Sequence, residues 1–225
     1  MKLPLVSLLS LCLISTLAFS ADAPAKKRIL LLGDSISIGY TPIVQKTMAE
    51  EAVVQRPMKA DGKPENCSGT TNGITNIDRW LQIEGGKWDV VHFNWGLHDI
   101  KHVDAKGAVS NLESDAPQAS LEAYEKQVRE LVAKLKATGA KLIFATTTPV
   151  PDAVLKPWRT NADVIRYNEV ALKIMKENQI AVDDLYTFMK PKLAELQLPA
   201  NVHYKPEGYQ ALGGEVVKAI QGVLK

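Results

Sequence analysis

The chain has 225 residues, 46% of them apolar and 23% charged, with a formal net charge of +2. That is enough apolar material for one globular domain with a sizeable core. No Lys/Arg-rich run is interleaved with aromatics, which speaks against a nucleic-acid surface.

Lys2 precedes the apolar stretch LPLVSLLSLCLISTLAF, and Ala18 and Ser20 put small residues where a signal peptidase reads them. This predicts a secretory signal peptide over residues 1–20, a linker over 21–27, and an exported mature chain, periplasmic or secreted. A retained N-terminal anchor is the alternative. Cleavage would remove Cys12 and leave Cys67 as the only cysteine. The domain is then expected to stand on its core without an intrachain disulfide.

RILLL, residues 28–32, is a continuous apolar run and predicts a strand buried on both faces of a parallel sheet. It stops at Gly33, Asp34 and Ser35, which puts a serine where a buried strand meets solvent. In parallel α/β sheets that end of the strand is where chemistry usually happens. Thr41-Pro42 reads as a helix start, followed by the helical pattern PIVQKTMAEEA and a second strand in VVQRPM. Residues 59–73 are rich in turn formers and read as a loop, and ITNIDRWLQI as a short amphipathic helix. WDVVHFNWG predicts a third strand ending in Gly96, and residues 97–118 read as irregular and surface-lying.

SLEAYEKQVRELVAKLKATG carries an apolar stripe of Leu121, Tyr124, Val128, Leu131, Val132 and Leu135, with Gly139 at the stop position. AKLIFATTTPV predicts a fourth strand, NADVIRYNEVALKIMKEN a helix, IAVDDLY a fifth strand, and PEGYQALGGEVVKAIQGVLK the closing helix. The alternation defines an α/β class: a single-domain three-layer α/β/α sandwich over residues 28–225, with a flavodoxin-like parallel sheet of about five strands. Right-handed crossovers gather the C-terminal strand ends along one edge, and Ser35 and Gly96 lie at two of them.

A serine hydroxyl needs a base to take its proton. The chain has four histidines, at 92, 98, 102 and 203. His92 lies within the third strand and reads as a core histidine. His203 sits in LPANVHYKPEGY, a loop able to return over the edge that bears Ser35. His98 and His102, in HDIKH, have the spacing of a zinc-protease pair and make a metal-dependent hydrolase one alternative. That motif needs a helix, a glutamate and a third ligand, which this stretch does not supply.

Taken together, LLGDSISIG, NCSGTTNG, GLHD and ANVH, with RYNEVA around Asn168, resemble the ordered blocks of the SGNH, or GDSL-type, serine esterases and lipases. The resemblance implies Ser35 as nucleophile and His203 as its base. It implies an oxyanion held by the backbone of Ser35 and of Gly69, with Gly73 the alternative glycine. Two positions depart from the family pattern. His98 stands where an asparagine is usual, so its ring N–H becomes the candidate side-chain oxyanion donor, with Asn94 as the other. Ala200 stands where the triad aspartate is usual, so a backbone carbonyl or a distant acid is expected to orient His203. Asp183 and Asp184, at the fifth strand, could be that acid or plain turn residues, and turn residues are favoured.

The expectation is a serine esterase that hydrolyses carboxylic esters with no cofactor. Its substrate would be a small-molecule or glycan ester, with short acyl groups on carbohydrate favoured and Trp95 a candidate for stacking on a sugar ring. No nucleic-acid partner and no stable membrane span after cleavage are expected. A non-catalytic binding module on the same fold is the remaining alternative.

Overall fold

The computed structural model describes residues 25–225, so the expected signal peptide and most of the linker lie outside the described residues. In chain order the first half contains β1 (Lys27–Leu32), α1 (Ser35–Thr47), β2 (Ala52–Gln55), α2 (Thr70–Leu81), β3 (Val90–Phe93), β4 (His102–Val103) and β5 (Ala116–Pro117). The second half contains α3 (Leu121–Lys136), β6 (Lys141–Ala145), α4 (Asn161–Asn178), β7 (Ala181–Asp183), the short helices α5 (Leu185–Met189) and α6 (Leu193–Leu196), and α7 (Pro206–Leu224).

Five strands form one parallel sheet in the order β2-β1-β3-β6-β7. Successive strand side chains point to opposite faces, so a strand with all side chains buried must be covered on both. Ile29, Leu30, Leu31 and Leu32 are all fully buried, as are Val90, Val91 and His92. Helices α1 and α7 pack together in one layer, and α2, α3 and α4 form the other. The stripe of α3 buries Tyr124, Val128, Leu131, Val132 and Leu135, while Leu121 stays at the rim. Each such side chain contributes roughly 2 kcal/mol of burial. Ser120 caps this helix by accepting from the Ala123 N–H.

Three local expectations are corrected. Helix α1 starts at Ser35, well before Thr41-Pro42, because Asp34 is its N-cap and accepts from the Ile36 N–H at 2.9 Å. Pro42 therefore sits inside the helix, removing one backbone bond there. The Thr41 hydroxyl donates back to the Ser37 carbonyl at 2.7 Å in that turn. Helix α2 likewise starts earlier, at Thr70, with Gly69 as its N-cap. Residues 97–118 are not merely surface-lying: Leu97, Asp99 and Ile100 are buried, and β4 pairs antiparallel with β5. They close over the end of the sheet instead of leaving it.

Candidate active site

The chain order reverses between β1 and β3. From β1 it moves outward to β2, then crosses to β3 on the other side. Such a switch point leaves a crevice beyond the C-terminal strand ends. Leu32 and Phe93 are paired residues at those ends, so Ser35 and His98 emerge on the two sides of one crevice. Gly96 permits the close passage: a Cβ there would lie 2.2 Å from Thr147 Oγ1. The long stretch after β7 then returns to this edge and brings His203 to it.

Ser35, His98 and His203 line one cavity of about 380 Å³, together with Asn66, Leu97, Leu155, Lys156, Pro157, Arg159, Ala200, Asn201 and Val202. Ser35 Oγ lies 2.8 Å from His203 Nε2. On the other side of the ring, His203 Nδ1 lies 2.8 Å from Asn201 Oδ1. The same Asn201 oxygen accepts the His203 backbone N–H at 3.0 Å. A backbone N–H can only donate, which identifies this amide atom as the oxygen. Nδ1 must then carry the ring proton, leaving the Nε2 lone pair to accept from Ser35.

The expectation of a backbone carbonyl or a distant acid behind His203 is thus corrected. A side-chain amide two residues earlier does the orienting, held by a local turn of the kind asparagine favours. Ala200, with φ of 48°, sets the chain into that turn. Neither aspartate considered for the role reaches it. Asp183 is no mere turn residue: it is buried and lies 3.0 Å from His92 Nε2, which makes His92 a core histidine held through Nε2, its buried Nδ1 having no partner among the described residues. Asp184 caps α5 through the Thr187 N–H and accepts from Thr146 Oγ1.

His98 is partly buried, and burial pushes its proton affinity down to about 4. The cations Lys101 and Arg159 push the same way, and Asp34 opposes them. The ring is therefore neutral at neutral pH. Lys101 Nζ stands 3.4 Å from His98 Nδ1. An ammonium only donates, so Nδ1 is the acceptor and the ring proton sits on Nε2. His98 thus has one N–H to offer. The other side-chain candidate, Asn94, has none to spare: its amide donates to the Ala145 carbonyl at 2.8 Å and to Thr147 Oγ1 at 3.3 Å.

Gly69 is buried and stands behind the cavity wall at the start of α2, while Asn66 from the same loop is on the wall. A Cβ on Gly69 would lie 2.8 Å from Asp99 Oδ1. Asp99 in turn accepts from the Thr70 N–H at 2.8 Å and bonds the Thr70 hydroxyl at 2.5 Å, fastening α2 to the turn after β3. Burial raises the Asp99 carboxyl to about 7, the Thr70 bonds opposing. Gly73 is excluded as the alternative glycine, because its N–H already donates within α2 to the Gly69 carbonyl. The Ser35 amide, at the first position of α1, belongs to the N–H groups a helix leaves without internal partners.

Two other candidates fail. Trp95 is buried against Phe93 and cannot stack on a sugar. His102 Nδ1 faces the Leu112 carbonyl at 3.0 Å, and no group of three His, Cys, Asp or Glu among the described residues is placed to hold a metal. Cys67 is buried, its thiol pushed up to about 12 by that burial. Asn168, singled out from the sequence, binds both the N–H and the carbonyl of Thr147 and ties α4 to the chain leaving β6.

A doubly wound sheet with a serine–histidine pair at its switch point is the arrangement of a serine hydrolase. The chain belongs to the GDSL-like lipase/acylhydrolase family, whose model matches residues 31–211, and it is an ester-bond hydrolase. The fold is similar to that of a lipase/acylhydrolase from Enterococcus faecalis, with 23% identity, a TM-score of 0.67 and coverage of 87% of this chain and 96% of that one. It is also similar to the acetyl xylan esterase AlAXEase (14% identity, TM-score 0.68, 86% and 99% covered). A third similar structure is Axe2, an acetylxylan esterase from Geobacillus stearothermophilus (17% identity, TM-score 0.64, 86% and 94% covered). No curated protein sequence matches the chain.

Proposed function

We propose that the chain is an exported serine esterase that removes short acyl groups, carbohydrate esters among them, through an acyl-enzyme. The observation that carries this is the 2.8 Å contact between Ser35 Oγ and His203 Nε2, with Asn201 behind the ring. Ser35 Oγ attacks the ester carbonyl carbon as its proton passes to His203 Nε2. The carbonyl oxygen becomes an oxyanion, met by the Ser35 amide and the His98 Nε2–H, both from residues that line the cavity. The carbon–oxygen bond to the alcohol then breaks, and the proton on His203 goes to the leaving oxygen. Water, deprotonated by His203, attacks the acyl-serine, and the acid departs as Ser35 recovers its proton.

A short acyl group is favoured because polar side chains, among them Asn66, Lys156, Arg159 and Asn201, interrupt the apolar wall of the cavity. The carbohydrate reading draws on the acetylxylan esterases among the similar folds, and export on the signal-like residues 1–20.

Ser35→Ala is expected to abolish both fluorophosphonate labelling and ester hydrolysis while the far-UV spectrum and melting transition stay close to the parent's. His203→Ala should be nearly as severe, and the double variant no worse than either, because the two act as one unit. Labelling that persists in Ser35→Ala would place the nucleophile elsewhere.

A further inference from the structure

The cavity wall carries formal charge of one sign. Lys156 and Arg159 line it, and no aspartate or glutamate among the described residues does. Lys156 is exposed to solvent, but Arg159 is only 8% exposed. A guanidinium on so buried a residue is costly unless it is paired, which is why buried arginines normally face a carboxylate. Arg159 faces none: no carboxylate among the described residues forms an ion pair with it. Asp34 acts on it only through space, and burial lowers its proton affinity to about 10, so it stays charged at neutral pH.

Its hydrogen bonds sharpen the point. Nε donates to the Leu97 carbonyl at 2.8 Å, which fixes the plane of the group beside the His98 turn. The two Nη atoms have no acceptor among the described residues, yet neither is sealed from solvent. The solvent they reach is that of the cavities Arg159 lines, the one at Ser35 and an adjoining one of about 290 Å³ walled by Pro151, Trp158 and Thr160. Arg56 offers the contrast. It is equally buried, but its Nη atoms are spent on Ser37, Thr41 and the carbonyls of Gly33 and Glu65. Arg56 serves the fold, whereas Arg159 holds two donors open.

We propose that Arg159, assisted by Lys156, is an anion subsite beside Ser35, and that the preferred ester carries a carboxylate on its acyl or its alcohol half. The proposal rests on the serine esterase reading above. Two free Nη donors in one plane match the two oxygens of a carboxylate, and a partly desolvated guanidinium binds it more strongly than a lysine in water does. The carboxylate would supply the missing counter-charge. A neutral ester of the same size leaves the guanidinium unpaired.

The test uses two isosteric pairs. Para-nitrophenyl hemisuccinate against its methyl ester places the charge on the acyl half. Para-acetoxybenzoate against its methyl ester places it on the alcohol half. The parent is expected to favour the charged member of at least one pair by about tenfold in kcat/KM, with the preference shrinking as salt is raised. Arg159→Gln should bring that ratio close to one, and Arg159→Lys should keep part of it. The ratio within each variant is insensitive to how much enzyme is correctly folded. A parent with no preference in either pair overturns the proposal, as does a preference that survives in Arg159→Gln. Failure of all four esters together with absent fluorophosphonate labelling would instead sink the esterase reading.

Discussion

The oxygen of Asn201 that accepts the hydrogen bond from His203 Nδ1–H is neutral, and this separates two roles that a triad aspartate combines. Orientation of the ring is retained. Charge stabilisation of the imidazolium is not. Asn201→Asp keeps the acceptor and adds the charge that stabilises the imidazolium, so it should match or exceed the parent's kcat. Asn201→Ala loses orientation and should lower kcat by about 10², less than the cost of a wrong tautomer in a triad. Steady-state kinetics on the two variants decide it, and an Asn201→Asp as slow as Asn201→Ala would mean that the amide does not face the ring during turnover. His98 invites a second comparison. If its Nε2–H meets the oxyanion, His98→Ala should lower kcat by about 10² to 10³ with little change in KM. His98→Asn should keep much more, because an amide N–H donates as well. Since His98 gains a proton only near pH 4, it should add no limb to the parent's profile above pH 5. Steady-state kinetics would expose a His98→Ala that stays within a few-fold of the parent, and the donor would then have to be a backbone amide alone.

Elements were legible where the local signal and the tertiary demand agree. The central strands β1, β3 and β6 announce themselves as apolar runs because both sheet faces are covered there, whereas the edge strands β2 and β7 leave Val53 and Val182 exposed; α3 and α4 are legible because their stripes are regular over several turns. Helix starts were harder. Thr41-Pro42 is a strong local cap signal, yet Asp34 holds the Ile36 N–H and the helix is already running when it reaches the proline. The Gly-Asp-Ser turn is thus also a helix cap, which is why the serine's amide is left free. The start of α2 was hidden for another reason. Gly69 and Thr70 look like loop residues until Asp99, far along the chain, takes the Thr70 N–H and hydroxyl. Site residues divide in the same way. Ser35 and His203 could be placed from strand ends and chain order, whereas Asn201 was obscured by a one-residue offset from the familiar spacing. The signal that could have found it is an asparagine two residues before the histidine, the spacing of an Asx turn. Arg159 had no signal at all, because its significance is a missing partner, and that exists only in three dimensions.

Across the whole molecule, two adjacent residues pull stability in opposite directions with pH. His98 has a folded proton affinity near 4 against 6.5 when free, so between those values the unfolded chain binds more protons and stability rises with pH. Asp99 has a folded value near 7 against 3.8, so the folded chain binds more protons and stability falls as pH rises through that window. The parent's dependence on pH should be flattened by this opposition. Relative to the parent, His98→Asn should lose stability on going from pH 4.5 to 6.5, and Asp99→Asn should gain it, as read from urea midpoints at the two pH values. Slopes of the same sign in both variants would contradict the assignment. A last consequence follows from the parallel sheet. Strand β1 begins at the edge away from the cavity, and α7 runs back to that same edge, where Lys141 at the start of β6 donates to the Val223 carbonyl. Both ends of the described chain therefore hang from the rear of the molecule. Any polymer or bead attached through them would hold the enzyme by its back and leave the mouth of the cavity turned outward, toward substrates too large to diffuse beneath it.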